Sequence, residues 1–167
     1  MTFAVVVEPL SSTHERASFT SGVPALDSYI REQAGQDVRR RVGNCFVAVE
    51  QETRAIVGYY TLAASSVPVT ELPLTETKRL PRYPVLPATL IGRLAVDSRY
   101  RGRQLGIALV ADAIRRSARA EPAVFTLLVD AKDDAAAAFY RKLGFVPLAS
   151  RSLTLFLPIA TALKLFA

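Results

Sequence analysis

Apolar residues fall along this chain in short β-type runs separated by stretches with helical spacing. Residues 3–7 form the first run, closed by Ser11, Ser12 and Thr13. Between residues 23 and 38, Leu26, Ile30 and Ala34 recur every fourth position with polar residues between them, which predicts a helix ending in Arg39, Arg40 and Arg41. Runs at 45–50 and 55–64, joined by Gln51, Glu52, Thr53 and Arg54, predict a hairpin. Segment 65–88 holds five of the ten prolines and predicts a short helix or a substrate-facing loop.

The second half is more regular. An apolar segment ends in Leu94, Ala95 and Val96, meets Asp97 and Ser98, and turns through a basic stretch from 99 to 106 into a helix reaching about Arg119. Asp97 stands where it would cap that turn. In the helix, Ile107, Val110, Ala111, Ile114 and Ala118 are the expected buried face, with Asp112, Arg115, Arg116 and Arg119 as a polar stripe. Residues 124–129 suit a central strand. Asp133 and Asp134 open a second helix with acids at its positive end, and Gly144 stands where its C-terminal cap belongs. Phe139 and Leu143 are expected to face the core, while Tyr140, about 100° round the helix, is free to face elsewhere. Strands at 145–146 and 152–157 follow, and 153–167 reads as a strand plus a short tail. The order predicts an α/β fold with a mixed sheet, one domain over residues 1–167.

Composition narrows the chemistry. With 167 residues, half of them hydrophobic, one full core is expected. No apolar run approaches the about 20 residues of a membrane span. The first residues lack a basic leader region, so a cytoplasmic location is expected. Cys45 and His14 are each the only residue of their type, which argues against a disulfide and against a His- or Cys-based metal site. Twenty-one Lys and Arg against fifteen Asp and Glu leave a charge of +6, favouring a polyanionic partner such as nucleic acid or a phosphorylated cofactor.

A strand, a glycine turn and a helix start aim free backbone N–H groups at an anion, and Arg103-x-x-Gly106-x-Ala108 puts small residues where a phosphate would approach. No Gly-Lys-Ser/Thr follows, which excludes a P-loop. Together with Ala136-x-x-Phe139-Tyr140-x-x-x-Gly144-Phe145, this turn resembles the GCN5-related N-acetyltransferases. The resemblance implies a mixed, mostly antiparallel sheet flanked by helices and acetyl-CoA as cofactor. It also implies a diphosphate-binding turn at Arg101, Gly102, Arg103, Gln104, Leu105, Gly106, Ile107 and Ala108. Asp133, Ala136 and Phe139 would line the cofactor, and Tyr140 would stand beside the thioester sulfur. Four further segments carry a narrower likeness: Phe19-x-x-Gly22-x-x-x-Leu26-Asp27, Gly58-Tyr59-Tyr60-x-Leu62-Ala63, Gly92 to Asp97, and Val129 to Asp133. They resemble acetyltransferase toxins of bacterial toxin–antitoxin pairs, which implies acetylation of the α-amine on aminoacyl-tRNA and a ribbon-helix-helix antitoxin.

The residues fit such chemistry. The main chain of Leu94, Ala95 and Val96 is expected to pair with the pantetheine arm as an added strand, with the Val96 N–H as a candidate oxyanion donor. Tyr140 is the candidate general acid; a phenol near 10 facing a thiol near 8.5 makes full proton transfer uphill by about 2 kcal/mol, so hydrogen bonding to the sulfur carries most of its effect. No general base is evident. The α-amine of an aminoacyl ester is less basic than an ordinary α-amine, about 7.7–8.0, so water suffices for it. Arg79, Arg82 and Arg93, with Lys78 and then Arg39, Arg40 and Arg41, are candidate contacts for tRNA. The alternatives are acetylation of a small amine, a protein N-terminus or a lysine, and a non-catalytic module that binds CoA or a protein. The apolar tail serves either a homodimer or its own core.

Overall fold

The computed structural model describes residues 3–166. Seven strands form one sheet in the order β1-β2-β3-β4-β5-β7-β6. They are β1 (Val5–Pro9), β2 (Asn44–Glu50), β3 (Ile56–Pro68), β4 (Val85–Val96), β5 (Thr126–Asp130), β6 (Val146–Pro147) and β7 (Thr154–Pro158). β1 with β2, β2 with β3, β5 with β7 and β6 with β7 are antiparallel, whereas β4 and β5 run parallel, with Ala88 opposite Thr126 and Ile91 opposite Val129. Six helices accompany them: α1 (Pro24–Ser28), α2 (Ala34–Arg39), α3 (Leu74–Thr77), α4 (Leu105–Ala118), α5 (Asp134–Lys142) and α6 (Ile159–Leu165). The mixed, mostly antiparallel sheet expected from the sequence is present. None of the described helices is long and apolar enough to cross a membrane.

The residues group into two compact units, one of Met1–Ala63 with Gly92–Asp112, the other of Ala64–Ile91 with Ala113–Ala167. In the first, Phe19, Ile30, Val47 and Tyr59 form the centre of a fully buried cluster that also takes in Ala95 of β4. Each such side chain contributes roughly 1.5–3 kcal/mol by leaving water. Pro24 starts α1, where its fixed φ suits the first helical turn, and Asp27 accepts from Ser21 N–H and Oγ at 2.8 and 2.6 Å. A single π turn, Tyr29–Gln33, joins α1 to α2, so the helix expected over 23–38 is present with one widened turn. The hairpin at 51–54 closes on Arg54, at φ 62°, donating to the Glu50 carbonyl.

In the second unit, Val67, Leu86, Leu128, Leu148 and Phe156 pack together. The proline-rich segment is more ordered than its composition predicts. β3 runs on to Pro68, α3 is the expected short helix, and β4 starts at Val85. The prolines at 68 and 73 are the N-caps of helical turns, a position whose own N–H the helix does not use, so the donor a proline lacks is not missed. The tail after 158 is also not the short extension expected but helix α6, with Ile159 and Ala162 buried.

Two helix faces differ from expectation. α4 buries Leu105, Leu109, Val110, Ala113 and Ile114 and leaves Ile107 and Ala118 exposed. Asp112, expected on the polar stripe, is buried because it accepts a 2.7 Å hydrogen bond from the Tyr60 hydroxyl. In α5 the buried pair is Ala137 and Tyr140, three apart, and Phe139 and Leu143 are only half-buried. The helix is rotated by about one residue, 100°, from the orientation that Phe139 and Leu143 alone would set.

Candidate active site

In the first unit the site begins at the end of β4. The Arg93 N–H donates to Thr61 Oγ1 at 3.0 Å, and Ala95 lies so close to β3 that a Cβ on Gly58 would stand 3.1 Å from its carbonyl oxygen. Only glycine permits that approach. Asp97 then caps the turn as expected. Its fully buried carboxylate accepts from Thr20 N–H at 3.1 Å, Arg99 N–H at 2.9 Å, Arg99 Nε at 2.9 Å and Arg99 Nη2 at 2.8 Å. Burial pushes its pKa up, but the Arg99 and Thr20 donors outweigh it and hold the carboxyl below the usual range. A carboxylate so committed is an anchor and no base.

The chain then passes Gly102 at φ 80° and Gln104 at φ 59° and enters α4. The first closing bond of the helix runs from Ala108 N–H to the Gln104 carbonyl at 3.1 Å. The N–H groups of Leu105, Gly106 and Ile107 precede it and have no acceptor within the helix. A side chain on Gly102 would meet nothing within 4 Å, so the approach is open. The turn therefore presents backbone donors at the positive end of a fourteen-residue helix, a fit for a diphosphate. Its two arginines are held elsewhere: Arg101 donates to the Ser21 carbonyl at 2.7 Å, and the Arg103 guanidinium lies over the Phe3 ring, 4.3 Å from its centroid. Phe3 in turn stacks on Tyr100.

Arg93 also lies in this unit. Its guanidinium stacks 3.7 Å from the centroid of Tyr29, beside a cleft of about 300 Å³ that includes Leu26, Ser28 and Glu32. Tyr29 donates to Asp37 at 2.8 Å, and burial together with that carboxylate raises its pKa. This aromatic partner has no signature in the sequence, because sixty-odd positions separate it from Arg93 and only the fold joins them. Cys45 is buried in the same unit with its thiol pushed up to about 12 by burial, so it stays protonated.

In the second unit the site residues sit on α5 and its ends. Asp133 is the N-cap and accepts from Ala136 N–H at 2.8 Å. At the other end Gly144, φ 107°, closes a Schellman cap: Gly144 N–H donates to the Arg141 carbonyl at 3.0 Å and Phe145 N–H to that of Tyr140 at 3.1 Å. The cap sets Phe145 against the Tyr140 ring, edge-on at 5.6 Å, and Phe139 packs edge-on from the other side at 5.1 Å. Burial pushes the Tyr140 pKa up, so the phenol is neutral at any physiological pH. Among the described residues no buried side-chain polar atom lacks a hydrogen-bond partner, and the Tyr140 hydroxyl has none. That hydroxyl therefore touches solvent at the end of a buried ring. Arg79 and Arg82 are exposed on the segment after α3, with Arg82 beside a cleft of about 320 Å³.

Leading helix donors reached from a strand through a glycine turn suit a phosphorylated carrier, and a neutral phenol at the end of a buried ring suits a leaving thiolate; both belong to the chemistry of an α/β acyltransferase. Residues 41–147 match the family model of the acetyltransferase (GNAT) domain, and the chain belongs to that family. It is 37% identical over 138 residues, 81% of either chain, to a tRNA-acetylating toxin of Mycobacterium tuberculosis. Among solved structures it is similar to AtaT complexed with acetyl-methionyl-tRNAfMet, with TM-score 0.89 and 28% identity over 98% of this chain and 100% of that one. It is also similar to a tyrosine-to-phenylalanine mutant of the toxin AtaT bound to the C-terminus of the antitoxin AtaR and acetyl-CoA, with TM-score 0.80 and 25% identity over 98% of either chain.

Proposed function

We propose that this chain is a toxin N-acetyltransferase that moves the acetyl group of acetyl-CoA to the α-amine of aminoacyl-tRNA and so blocks translation in the cytoplasm. Its partner is an antitoxin, by resemblance a ribbon-helix-helix protein. The whole chain acts as one catalytic domain. Acetyl-CoA supplies the activated acyl carbon, and transfer breaks its C–S bond as the C–N bond forms.

The roles divide between main chain and side chain. The leading N–H groups of α4, from Leu105 to Ile107, bind the diphosphate, with Gly102 and Gly106 keeping the approach clear and Arg101, Arg103, Gln104 and Ala108 framing it. Leu94, Ala95 and Val96 hold the pantetheine arm through their backbone, and the Val96 N–H polarises the carbonyl. Asp133, Ala136 and Phe139 line the cofactor along α5. Tyr140 hydrogen-bonds the sulfur as negative charge develops and delivers its proton late. Arg79, Arg82 and Arg93 meet the RNA end.

The observation that supports the transfer step most directly is the neutral, solvent-touching Tyr140 hydroxyl with no partner of its own. The names of its relatives and the surplus of cations support tRNA as acceptor. The test is label transfer from radioactive acetyl-CoA to charged tRNA, uncharged tRNA and free amines, with Tyr140→Phe alongside. Charged tRNA alone should be labelled. The variant should lose roughly 10²–10⁴-fold in kcat with the KM for acetyl-CoA unchanged. Labelling of free amines or peptides but not charged tRNA would refute the acceptor, and full activity of the variant would refute the acid.

A further inference from the structure

A second cationic site lies in the first unit, along α2 from Gly35, just after the π turn, to Arg39. A pocket of about 270 Å³ there is lined by Leu10, Ser12, Arg16, Gly35, Val38 and Arg39. Two guanidinium groups converge on Gly35: a Cβ at that position would stand 3.2 Å from Arg39 Nη1 and 3.4 Å from Arg16 Nη1. Arg16 also donates to the Ile30 carbonyl at 3.4 Å. No carboxylate lies within ion-pair distance of either arginine among the described residues. Two like charges turned toward one point repel, and the apolar walls of Leu10 and Val38 reduce the water that would screen them. Glycine is what lets both guanidinium groups come this close to the helix and to each other. An arginine fork presents parallel N–H donors matched to phosphate oxygens, and two neighbouring forks suit the two non-bridging oxygens of one phosphodiester.

We propose that Arg16 and Arg39, meeting over Gly35, clasp one backbone phosphate of the RNA substrate. This rests on the reading of the acceptor as tRNA. A nucleic-acid strand is favoured over an acidic peptide because Arg40 and Arg41 continue from the pocket at the end of α2, and a strand offers phosphates at regular intervals to such a run.

The experiment titrates full-length uncharged tRNA against the intact protein at salt concentrations from roughly 50 to 200 mM. It compares wild type, Arg39→Gln, Arg16→Lys and the double variant Arg16→Gln/Arg39→Gln. Arg39→Gln should weaken binding roughly fivefold with the slope of log affinity against log salt nearly kept, because Arg16 still neutralises the phosphate. The double variant should flatten the slope by about 1, the share of one phosphate. Arg16→Lys, which keeps the charge and loses the fork, should weaken binding with the slope kept. Melting temperature and the KM for acetyl-CoA should not move for Arg39→Gln. An unchanged slope in the double variant overturns the proposal, as does a double variant that flattens it by about 2, which would mean two separate phosphates. Loss of binding to a hexaglutamate peptide with RNA binding intact overturns it in favour of a protein partner. If the wild type acetylates no charged tRNA, the proposed acceptor fails, and the salt slopes still decide whether the phosphate clasp exists.

Discussion

Replacing Gly144 by alanine tests how the Tyr140 phenol, the proposed acid, is held. Gly144 sits at φ 107°, outside the range an L side chain adopts at ease, and the strain of a non-glycine residue there is roughly 1–3 kcal/mol. A methyl group would also come within 2.7 Å of Leu165 Cδ1, but that atom is the tip of a mostly exposed side chain and gives way cheaply. Backbone strain therefore dominates, and about 2 kcal/mol should appear as a melting-temperature drop of about 4–8 °C. Relief of the strain pulls on the cap, whose Phe145 N–H bond to the Tyr140 carbonyl fixes the ring between two phenylalanines. Displacement of the hydroxyl by even a fraction of an ångström should lower kcat by roughly tenfold to a hundredfold. Calorimetry and single-turnover acetyl transfer on Gly144→Ala measure both effects. Adding Leu165→Ala to the variant separates the causes. If the double variant regains the melting temperature, the clash rather than the dihedral was responsible and the reasoning fails. An unchanged kcat in Gly144→Ala would show that the cap does not position Tyr140.

Two further outcomes follow from the buried groups. Asp97→Asn should cost about 1–3 kcal/mol, because the carboxylate accepts four charge-assisted or backbone donors. Its folded pKa lies below the unfolded value, so this stabilisation is fully present above the ordinary carboxylate range and drains away as pH falls through the folded value. Denaturant melts of wild type and variant should thus differ by a constant amount from pH 8 to 5 and converge below about pH 4; a gap that persists in acid would contradict the assignment. Cys45, buried with its thiol pushed up to about 12, should resist iodoacetamide at pH 8 in the native protein and react at once in denaturant, and native labelling would show the core to be open.

Much of this was legible in the sequence because the turn into α4 offers its backbone donors rather than side chains. A strand, a glycine turn and a helix start are written in local composition, and Asp97, Asp133 and Gly144 each announce a cap by position. What failed was orientation. The face of α4 is read from its aliphatic residues, and Asp112 falls on a polar stripe with three arginines of its own helix; its partner Tyr60 lies 52 positions away. Phe139 outweighed Tyr140 by hydropathy, yet the cap at Gly144 turns the tyrosine inward. Prolines allowed either a short helix or a loop in 65–88, and the helix is there, with Pro68 and Pro73 marking the starts of its helical turns. The Arg93–Tyr29 stack and the Arg16–Arg39 pair had no local signature at all. Long-range pairs between side chains are the information that hydrophobic periodicity does not contain.

The same structure bears on which amine can be the acceptor. Tyr140 is neutral, a donor in the proposed transfer, and Asp97, the carboxylate at the end of β4, is occupied by Thr20 and Arg99. Removal of the amine proton then falls to water, which works only for an amine already partly neutral. At pH 7 an α-amine near 7.7 is roughly 17% neutral, and an aminoacyl ester more so, whereas a lysine near 10.4 is roughly 0.04% neutral. That factor of about 400 disfavours lysine before any contact is made, and no pocket has to supply it. An α-amine held on RNA by cations is thus the acceptor for which the lack of a committed base costs least.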